Sequence, residues 1–389
     1  MANNNENKIL NVPNLRFPEF SGEWEKTRLG DNCNIQMCKR IMAVQTNTDG
    51  GVPFYKIGTI GGKADAYISK DLFDEYKAKY SFPHKGEVMI TCAGTVGKCI
   101  IYNGEDSYYQ DSNIVWIDNP KEIISNDFLY HLLSKINWSH LNSTTIVRIY
   151  NDDLRNLKLY YPIHDEQKKI TNFLSLINKR IATQNKIIED LKKLKSAIIH
   201  RCYSSQTNMI PLSELLKQCS DRNRSGSDLQ VLSVSNKYGF IAQSDQFEDR
   251  EVASDDTSNY KVVKKGMFAY NPARINVGSI ALYEMDGNGI VSPMYVCFTT
   301  KSELLPSYLK YYFASQTFKH EMYKRLEGSV RLCLTFEELC NIEIHLPSIE
   351  QQKNISKYIS KIENNLSLVD SIFSKYQQQR RYLLSQMFI

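Results

Sequence analysis

Only two short stretches of this 389-residue chain approach a catalytic motif in residue type and spacing. Residues 271–274 read Asn-Pro-Ala-Arg, which begins the N/D-P-P-Y/F tetrad of amino-directed methyl transfer but lacks its second proline and its aromatic residue. Residues 91–98 read TCAGTVGK, which ends in Gly-Lys without the spacing of a phosphate-binding loop. The seven histidines are dispersed, and neither H-E-x-x-H nor G-x-S-x-G occurs. We interpret both stretches as turns, and we expect no catalytic residue and no metal site.

A larger group of polar side chains is suited to recognition. Proteins read guanine with Arg or Lys and adenine with Asn or Gln, and they hold phosphates with basic and hydroxyl side chains. Such residues collect in loops beside repeated segments of the chain, where rigid strands can hold loops of variable sequence. The candidate DNA-binding residues are Thr95, Lys98, Asn142, Ser143, Thr144 and Arg148 in the first half, and Asn271, Arg274, Asn276, Ser279, Ser329 and Arg331 in the second.

The alternative for any one of these candidates is a polar residue that only forms a turn. Arg148 and Arg331 match each other in the two halves, which favours a shared phosphate contact or a shared structural role over base reading. Tyr108, Tyr109 and Tyr295 are further candidates for a DNA surface, against the alternative of half-buried strand residues.

The elements that position these residues are repeated along the chain. Residues 162–177 read PIHDEQKKITNFLSLI, and residues 347–362, which lie 185 positions later, read PSIEQQKNISKYISKI. Alternating steps of four and three give an apolar seam in each copy, interrupted at the equivalent residues Lys195 and Arg380. Such a period without internal Gly or Pro predicts two coiled-coil helices. The seam residues are Ile170, Leu174, Ile177, Ile181, Ile188, Leu191 and Ile198, and then Ile355, Ile359, Ile362, Leu366, Val369, Phe373, Tyr376 and Leu383.

Each seam needs a partner, and the two helices are the obvious partners of each other. The alternatives are that each seam packs on its neighbouring domain or on a second chain. An antiparallel pair would relate the two halves by a pseudo-twofold axis, like a dimer made from one chain.

The segments before the helices repeat more loosely. Residues 24–161 and 209–346 have the same length and share short anchors such as TVGKCIIY (95–102) over NVGSIALY (276–283). We predict an α+β chain with two similar α/β globules separated by two long helices that form an antiparallel coiled coil. The predicted boundaries are an arm at 1–23, a globule at 24–161, a helix at 162–203, a globule at 204–346 and a helix at 347–389.

The whole set resembles the specificity (S) subunit of type I restriction–modification enzymes. The resemblance is carried by residues 11–31 (NVPNLRFPEFSGEWEKTRLGD), 270–283 (YNPARINVGSIALY) and the LP-x-x-EQ helix start at 346–351, in this order. It implies that each globule is a target recognition domain for one half of an asymmetric bipartite DNA site, and that the helices set the gap. It also implies docking of two methyltransferase subunits and, through them, restriction/translocase subunits. S-adenosylmethionine, ATP and Mg²⁺ would then be used by those partners, with no cofactor and no catalysis on this chain.

Composition and charge are compatible with this hypothesis. The net charge is +5, and an equal excess lies within residues 165–201, which predicts a basic helix face toward DNA backbone or an acidic partner. Nine scattered cysteines without a C-x-x-C pair and a polar N-terminus predict reduced thiols in a cytoplasmic protein. No apolar run is long enough for a membrane span. The rival functions are a stand-alone DNA-binding regulator and a protein-binding scaffold with a coiled coil.

Overall fold

The computed structural model describes residues 11–138, 148–205, 207–224, 229–243, 256–328 and 332–389. The chain divides into two compact units. Unit 1 comprises Met1–Thr183 and Phe373–Ile389, and unit 2 comprises Gln184–Ile372. The boundaries drawn from the sequence separate globules from helices, whereas each compact unit contains one globule together with part of both long helices.

Unit 1 contains a mixed α/β globule with three sheets. Strands β1 and β9 pair antiparallel, four strands form a sheet in the order β2-β8-β5-β6, and three form a sheet in the order β4-β3-β7. The strands are β1 Glu25–Arg28, β2 Asn34–Gln36, β3 Val52–Tyr55, β4 Tyr67–Ile68, β5 Val88–Thr91, β6 Cys99–Ile101, β7 Tyr108–Tyr109, β8 Ile114–Asp118 and β9 Lys158–Tyr161. The helices are α1 Leu29–Asn32, α2 Lys70–Lys79, α3 Asn126–Lys135, α4 Asn151–Arg155 and the long α5 His164–Tyr203, which continues into unit 2.

Unit 2 repeats this plan. Strands β10 and β19 pair, and two four-stranded sheets have the orders β11-β18-β15-β16 and β13-β12-β17-β14. The strands are β10 Met209–Pro211, β11 Leu216–Cys219, β12 Gln230–Ser235, β13 Gly239–Ala242, β14 Lys261–Val263, β15 Phe268–Tyr270, β16 Ile280–Leu282, β17 Gly289–Val291, β18 Val296–Thr300 and β19 Glu343–His345. The helices are α6 Leu212–Leu215, α7 Pro306–Phe313, α8 Gln316–Lys324, α9 Phe336–Cys340 and the long α10 Ile349–Gln386.

Each long helix has a buried glutamine in its first turn. This side chain ties the helix to the globule that precedes it in the sequence. The Gln167 amide nitrogen donates to the carbonyl oxygens of Pro162 (2.9 Å) and Ile123 (3.0 Å), and its Oε1 accepts from the Ser125 backbone N–H (2.8 Å). Buried amides require such partners, which explains why the repeat keeps glutamine at both helix starts. Gln352 makes the corresponding three bonds in unit 2, with Pro347, Glu303 and Leu305.

The long helices pair antiparallel. In unit 1 Arg380 Nε of α10 donates to Asn178 Oδ1 of α5 (2.7 Å), and Arg180 Nη1 donates to the Tyr376 hydroxyl (3.0 Å). The later residue on α5 therefore contacts the earlier residue on α10, as antiparallel packing requires. The prediction of two similar α/β globules and an antiparallel helix pair is confirmed.

The basic residues that interrupt the two seams have equivalent partners. Lys195 Nζ of α5 lies 2.6 Å from Glu363 Oε1 of α10 in unit 2. Lys195 is 185 positions before Arg380, and Asn178 is 185 positions before Glu363, so the same cross-helix contact is made once in each unit. Both aliphatic stems are half-buried while the polar ends reach across to the other helix. The structure buries or half-buries every residue of the predicted seam.

The C-terminal end of each long helix enters the core of a globule. In unit 1 Phe388, at the end of the chain, packs in one hydrophobic cluster with Trp24 and Phe128. In unit 2 the equivalent Tyr203 donates its hydroxyl to the Tyr308 carbonyl oxygen at 2.7 Å. The last residues of the sequence are therefore part of the core of the first globule.

Candidate nucleic-acid interface

The TCAGTVGK stretch of unit 1 is a tight turn between two antiparallel strands, β5 and β6. Thr91 and Lys98 close it, since the Thr91 N–H donates to the Lys98 carbonyl oxygen at 3.0 Å. Gly97 has φ +81°, and a Cβ there would lie 2.0 Å from Cδ1 of Trp138. Glycine is required because the indole ring packs directly on the backbone. The stretch is a tight turn between strands, as its glycines predicted, and it does not open a helix as a phosphate-binding loop does.

The equivalent turn of unit 2 joins β15 to β16 and contains the Asn-Pro-Ala-Arg stretch. Asn271 Oδ1 accepts from the Ala273 N–H (3.1 Å), and the Arg274 N–H donates to the Asn271 carbonyl oxygen (3.0 Å). Gly278 has φ +92° and ends the short 3₁₀ turn at Ile275–Val277. The asparagine side chain thus shapes the turn itself.

A second turn packs beside this one in each globule. In unit 1 a Cβ on Gly94 would lie 2.6 Å from Ile57 Cδ1, which belongs to the loop after β3. In unit 2 a Cβ on Gly278 would lie 3.4 Å from Cβ of Asn236, in the turn after β12. Each globule therefore presents two neighbouring turns on strands of two different sheets.

A returning segment is hydrogen-bonded to the base of the turn in both units. The Ile149 N–H donates to the Cys92 carbonyl oxygen at 2.9 Å, and the Leu334 N–H donates to the Pro272 carbonyl oxygen at 3.1 Å. Arg148 lies next to this contact, with Nη2 3.3 Å from the Ser112 carbonyl oxygen and its guanidinium 5.9 Å from the Tyr150 ring centroid. The other candidates of these segments, Asn142, Ser143, Thr144, Ser329 and Arg331, lie outside the described residues.

The described candidates differ in how free their polar groups are. Lys98 is exposed, but its ammonium donates to the Ile60 carbonyl oxygen at 2.5 Å, while Thr95 is exposed at the tip of the turn. Asn276 is half-buried. Arg274 is exposed, and its guanidinium has no hydrogen bond or ion pair among the parts of the chain that the structure describes. Arg274 is therefore the candidate best placed to contact a ligand.

Ser279 is placed differently from the expectation of an exposed contact. Its side chain is buried, and its hydroxyl donates to the Val234 carbonyl oxygen at 2.9 Å. This bond ties the β15–β16 turn to strand β12, so the serine helps to position the turn. The tyrosines Tyr108, Tyr109 and Tyr295 are also buried core residues.

Several exposed side chains near the turns were not predicted from the sequence. Tyr238 follows β12 and is 66% exposed, with the Lys237 ammonium 4.7 Å from its ring centroid. Met294 is exposed and lies 3.7 Å from Asn271 Nδ2, and the exposed Tyr323 has its hydroxyl 3.5 Å from the Asn276 carbonyl oxygen. For Tyr238 the sequence did contain a signal, because Lys237 and Tyr238 lie next to each other between two segments that read as strands. Nothing in the sequence brings residues 294 and 323 to the same turn.

The basic helix segment is largely exposed. Lys168, Lys179, Lys186, Lys192 and Lys193 all extend to solvent from α5. Lys169 is paired with Glu19, and Lys195 with Glu363. An exposed basic surface of this kind attracts phosphates or acidic proteins.

The cysteines and the metal ligands give no second kind of site within the ranges that the structure describes. All nine cysteines are free, and burial raises the pKa of the Cys92 and Cys99 thiols to about 12, so they stay protonated at neutral pH. No group of three or more His, Cys, Asp or Glu side chains is arranged to hold a metal ion in those ranges. None of the helices there is long and apolar enough to cross a membrane.

Known proteins similar to this chain are type I restriction specificity subunits. A putative specificity subunit of Haemophilus influenzae is 48% identical over 184 residues, 47% of this chain, and that match spans only 45% of the relative. The MjaVIII specificity subunit of Methanocaldococcus jannaschii is 25% identical over 93% of this chain and 91% of its own length.

Two solved structures share the fold. The type I restriction-modification S subunit from M. genitalium matches with a TM-score of 0.60 and 15% identity, covering 97% of this chain and 99% of that chain. A chain from a structural study of type I system assembly matches with a TM-score of 0.55, covering 94% of this chain and 97% of its own length.

A family model described as the type I restriction modification DNA specificity domain matches two stretches of the sequence. They are residues 21–193 and 225–372, and together they include the first globule, most of the second and most of both long helices. On this match, the chain belongs to the type I restriction–modification DNA specificity family.

Proposed function

We propose that this chain selects the DNA sequence at which a type I restriction–modification complex acts, with each globule reading one half of a bipartite site. The observation that carries the proposal is the repeated presentation of two adjacent turns on the same strand scaffold in both units. Strands fix the turns, and the turns carry side chains of the types that contact base edges and phosphates.

The site is asymmetric in this proposal because the two turns carry different side chains. The first, TCAGTVGK, offers Thr95 and Lys98, and the second, YNPARINVGS, offers Asn271, Arg274 and Asn276. Bases are distinguished by the donor and acceptor groups that face them, so unlike turns select unlike half-sites.

The long helices set the gap between the half-sites and dock the methyltransferase subunits. Three leucines on their outer faces support docking, since Leu176, Leu194 and Leu368 are exposed on helices whose seams are already paired. These leucine side chains are available for contact with another protein. The solved type I system of similar fold was studied for complex assembly.

We assign no catalytic step to this chain. S-adenosylmethionine, ATP and Mg²⁺ are used by the methyltransferase and restriction/translocase subunits that it directs, and the complex acts in the cytoplasm. The contribution of this chain is binding free energy that differs between DNA sequences.

Sequencing of methylated bases in cells that express this chain with its methyltransferase subunit tests the proposal. We expect an asymmetric motif in two parts, and exchange of residues 24–161 for the corresponding globule of another specificity subunit should change one part only. The matched control exchanges residues 209–346 and should change the other part. A motif unaffected by either exchange would reject DNA reading by the globules and favour a protein-binding scaffold.

Arg274→Ala is expected to weaken specific DNA binding by roughly 5- to 150-fold, because a lost base or phosphate contact of arginine costs about 1–3 kcal/mol. Binding of the assembled complex to its methylation site is measured by fluorescence anisotropy over a range of salt concentrations. Arg381→Ala, which removes an exposed arginine from α10, is the matched control for net charge. Equal effects of the two variants would mean that Arg274 contributes only long-range electrostatics.

A further inference from the structure

A segment of the N-terminal arm fills a groove beside α5 and α10 in unit 1. The Leu15 N–H donates to the Gln386 carbonyl oxygen at 2.9 Å, at the end of α10. The Phe17 ring contacts Phe173 of α5 edge to face, with centroids 5.9 Å apart. The arm adds backbone hydrogen bonding and an aromatic side chain to the surface of the helices.

Charged contacts hold the arm in this groove. Arg16 Nε and Nη2 each lie 2.7 Å from a carboxylate oxygen of the buried Glu166, in a bidentate pair. Glu19 forms an ion pair with Lys169 one turn further along α5. A bidentate arginine–carboxylate pair gives both strength and a fixed orientation.

Among the residues that the structure describes, no segment fills the equivalent groove of unit 2. Tyr358 stands 185 positions after Phe173 and is 66% exposed, whereas Phe173 is half-buried under Phe17. The internal register is fixed by the matching bonds of Gln167 and Gln352. The groove has a volume of about 640 Å³ and is lined by residues that include Arg201, Cys202, His345, Gln351, Ile355 and Tyr358.

Chain connectivity explains why no arm of the described chain lies in this groove. In unit 2 only residues 204–208 connect the end of α5 to β10, so the chain passes directly into the globule. In unit 1 the arm precedes β1 and is not joined to the end of α10. No segment equivalent to LRFPEF (15–20) stands before Met209 in the sequence.

The open groove keeps the apolar wall of its counterpart but changes the charges. Ile355 and Tyr358 replace Ile170 and Phe173 conservatively. The carboxylate of Glu166 is replaced by the neutral amide of Gln351, and the amide of Gln386 is replaced by the guanidinium of Arg201. A segment that fits this groove therefore has an aromatic side chain for Tyr358 and an acidic side chain, where the arm has a basic one.

We propose that the α5–α10 groove of unit 2 binds an extended segment of a partner protein that contains an aromatic residue next to an acidic residue. The segment adopts the path that residues 15–20 follow in unit 1. Its aromatic ring packs on Tyr358 and Ile355, its carboxylate pairs with Arg201, and its backbone N–H donates to the carbonyl oxygen at the end of α5.

Two fluorescein-labelled peptides test this assignment against the full-length chain by fluorescence anisotropy. One has the arm sequence of residues 12–22, VPNLRFPEFSG, and the other is the same peptide with Arg16→Glu. We expect the Arg16→Glu peptide to bind saturably and more tightly than the arm peptide. Adding Phe17→Ala to this peptide should weaken binding at least ~10-fold, which corresponds to the loss of one buried aromatic side chain.

Variants of the chain locate the binding. Tyr358→Ala and Arg201→Glu should each weaken binding of the Arg16→Glu peptide at least ~10-fold. Arg201→Glu should also strengthen binding of the arm peptide. Tyr382→Ala is the matched control, because Tyr382 is a tyrosine of α10 with similar exposure, 60%, that does not line the groove. Absence of saturable binding, or equal binding to wild type and Tyr358→Ala, would overturn the proposal. If the arm peptide bound more tightly than the Arg16→Glu peptide, the proposal of an acidic partner segment would be overturned. The arm of a second copy of this chain would then be the favoured ligand.

Discussion

Phe388→Ala is expected to destabilise unit 1 by about 3–5 kcal/mol, although residue 388 is the penultimate residue of the chain. Terminal residues are usually poorly ordered unless they dock. Phe388 is only 3% exposed, with ring centroids 5.0 Å from Phe128 and 6.4 Å from Trp24. Its carbonyl oxygen also accepts from Lys135 Nζ at 2.9 Å. Truncation to alanine would leave a cavity in the core of the first globule.

The positions of the tryptophans make this effect measurable in unit 1 alone. The three tryptophans, Trp24, Trp116 and Trp138, all belong to the globule of unit 1. The midpoint of thermal unfolding followed by tryptophan fluorescence should fall by roughly 6–20 °C, given ~2–4 °C per kcal/mol for a unit of this size. Circular dichroism, which follows both units, should retain a second transition near the wild-type temperature.

Tyr382→Ala is the matched control for Phe388→Ala. Tyr382 lies on the same helix end but is 60% exposed, so its removal should change the midpoint by less than ~2 °C. A tryptophan-detected midpoint of Phe388→Ala equal to that of the control would show that Phe388 is not part of the core of unit 1.

The sequence was sufficient to predict the repeat, the helices and their pairing, because a period of 3.5 residues sustained over several turns has one common structural solution. It left open what the helix ends contact. Ile198, Ile199, Leu383 and Leu384 continue the apolar pattern of the seam, and periodicity does not distinguish a helix partner from a globule core. The contacts of Tyr203 and Phe388 with the globules follow from tertiary packing.

The β5–β6 and β15–β16 turns of the candidate interface were predictable from the sequence, but the availability of each polar side chain was not. Ser279 and Arg274 are both polar residues of one turn, and only the position of β12 decides that the serine is buried and the arginine is exposed. Lys98 is a second example, because its ammonium donates a hydrogen bond to the Ile60 carbonyl oxygen of another loop. The sequence shows which side chains carry hydrogen-bond donors. Whether a donor is available to a ligand depends on the loops that pack around it.

Adding seven residues to both long helices is expected to lengthen the gap in the methylated motif by one to three base pairs. One heptad adds about 10 Å at ~1.5 Å per residue, and B-DNA rises ~3.4 Å per base pair. The insertions belong after Thr183 in α5 and after Ile372 in α10, where the chain passes between the two compact units. The inserted heptad preserves the seam when its apolar residues are the first and fifth in α5 and the first and fourth in α10, because the added residues then return to the same face.

Methylation at the original spacing should fall at least ~100-fold, because a half-site that loses its contacts forfeits about 1–3 kcal/mol per base pair. Both halves of the motif should keep their sequence, since neither globule is altered. Three base pairs also rotate a half-site by about 100° at ~10.5 base pairs per turn, which DNA twisting must absorb and which explains the range of expected gaps.

The control for the lengthened chain replaces residues 177–183 and 366–372 by the two heptads inserted in α5 and α10, respectively, without a change of length. It should keep the original gap, which separates the effect of helix length from that of helix composition. A lengthened protein that folds and methylates with an unchanged gap would show that the helix pair does not set the spacing. The half-site distance would then be determined by contacts of the partner subunits.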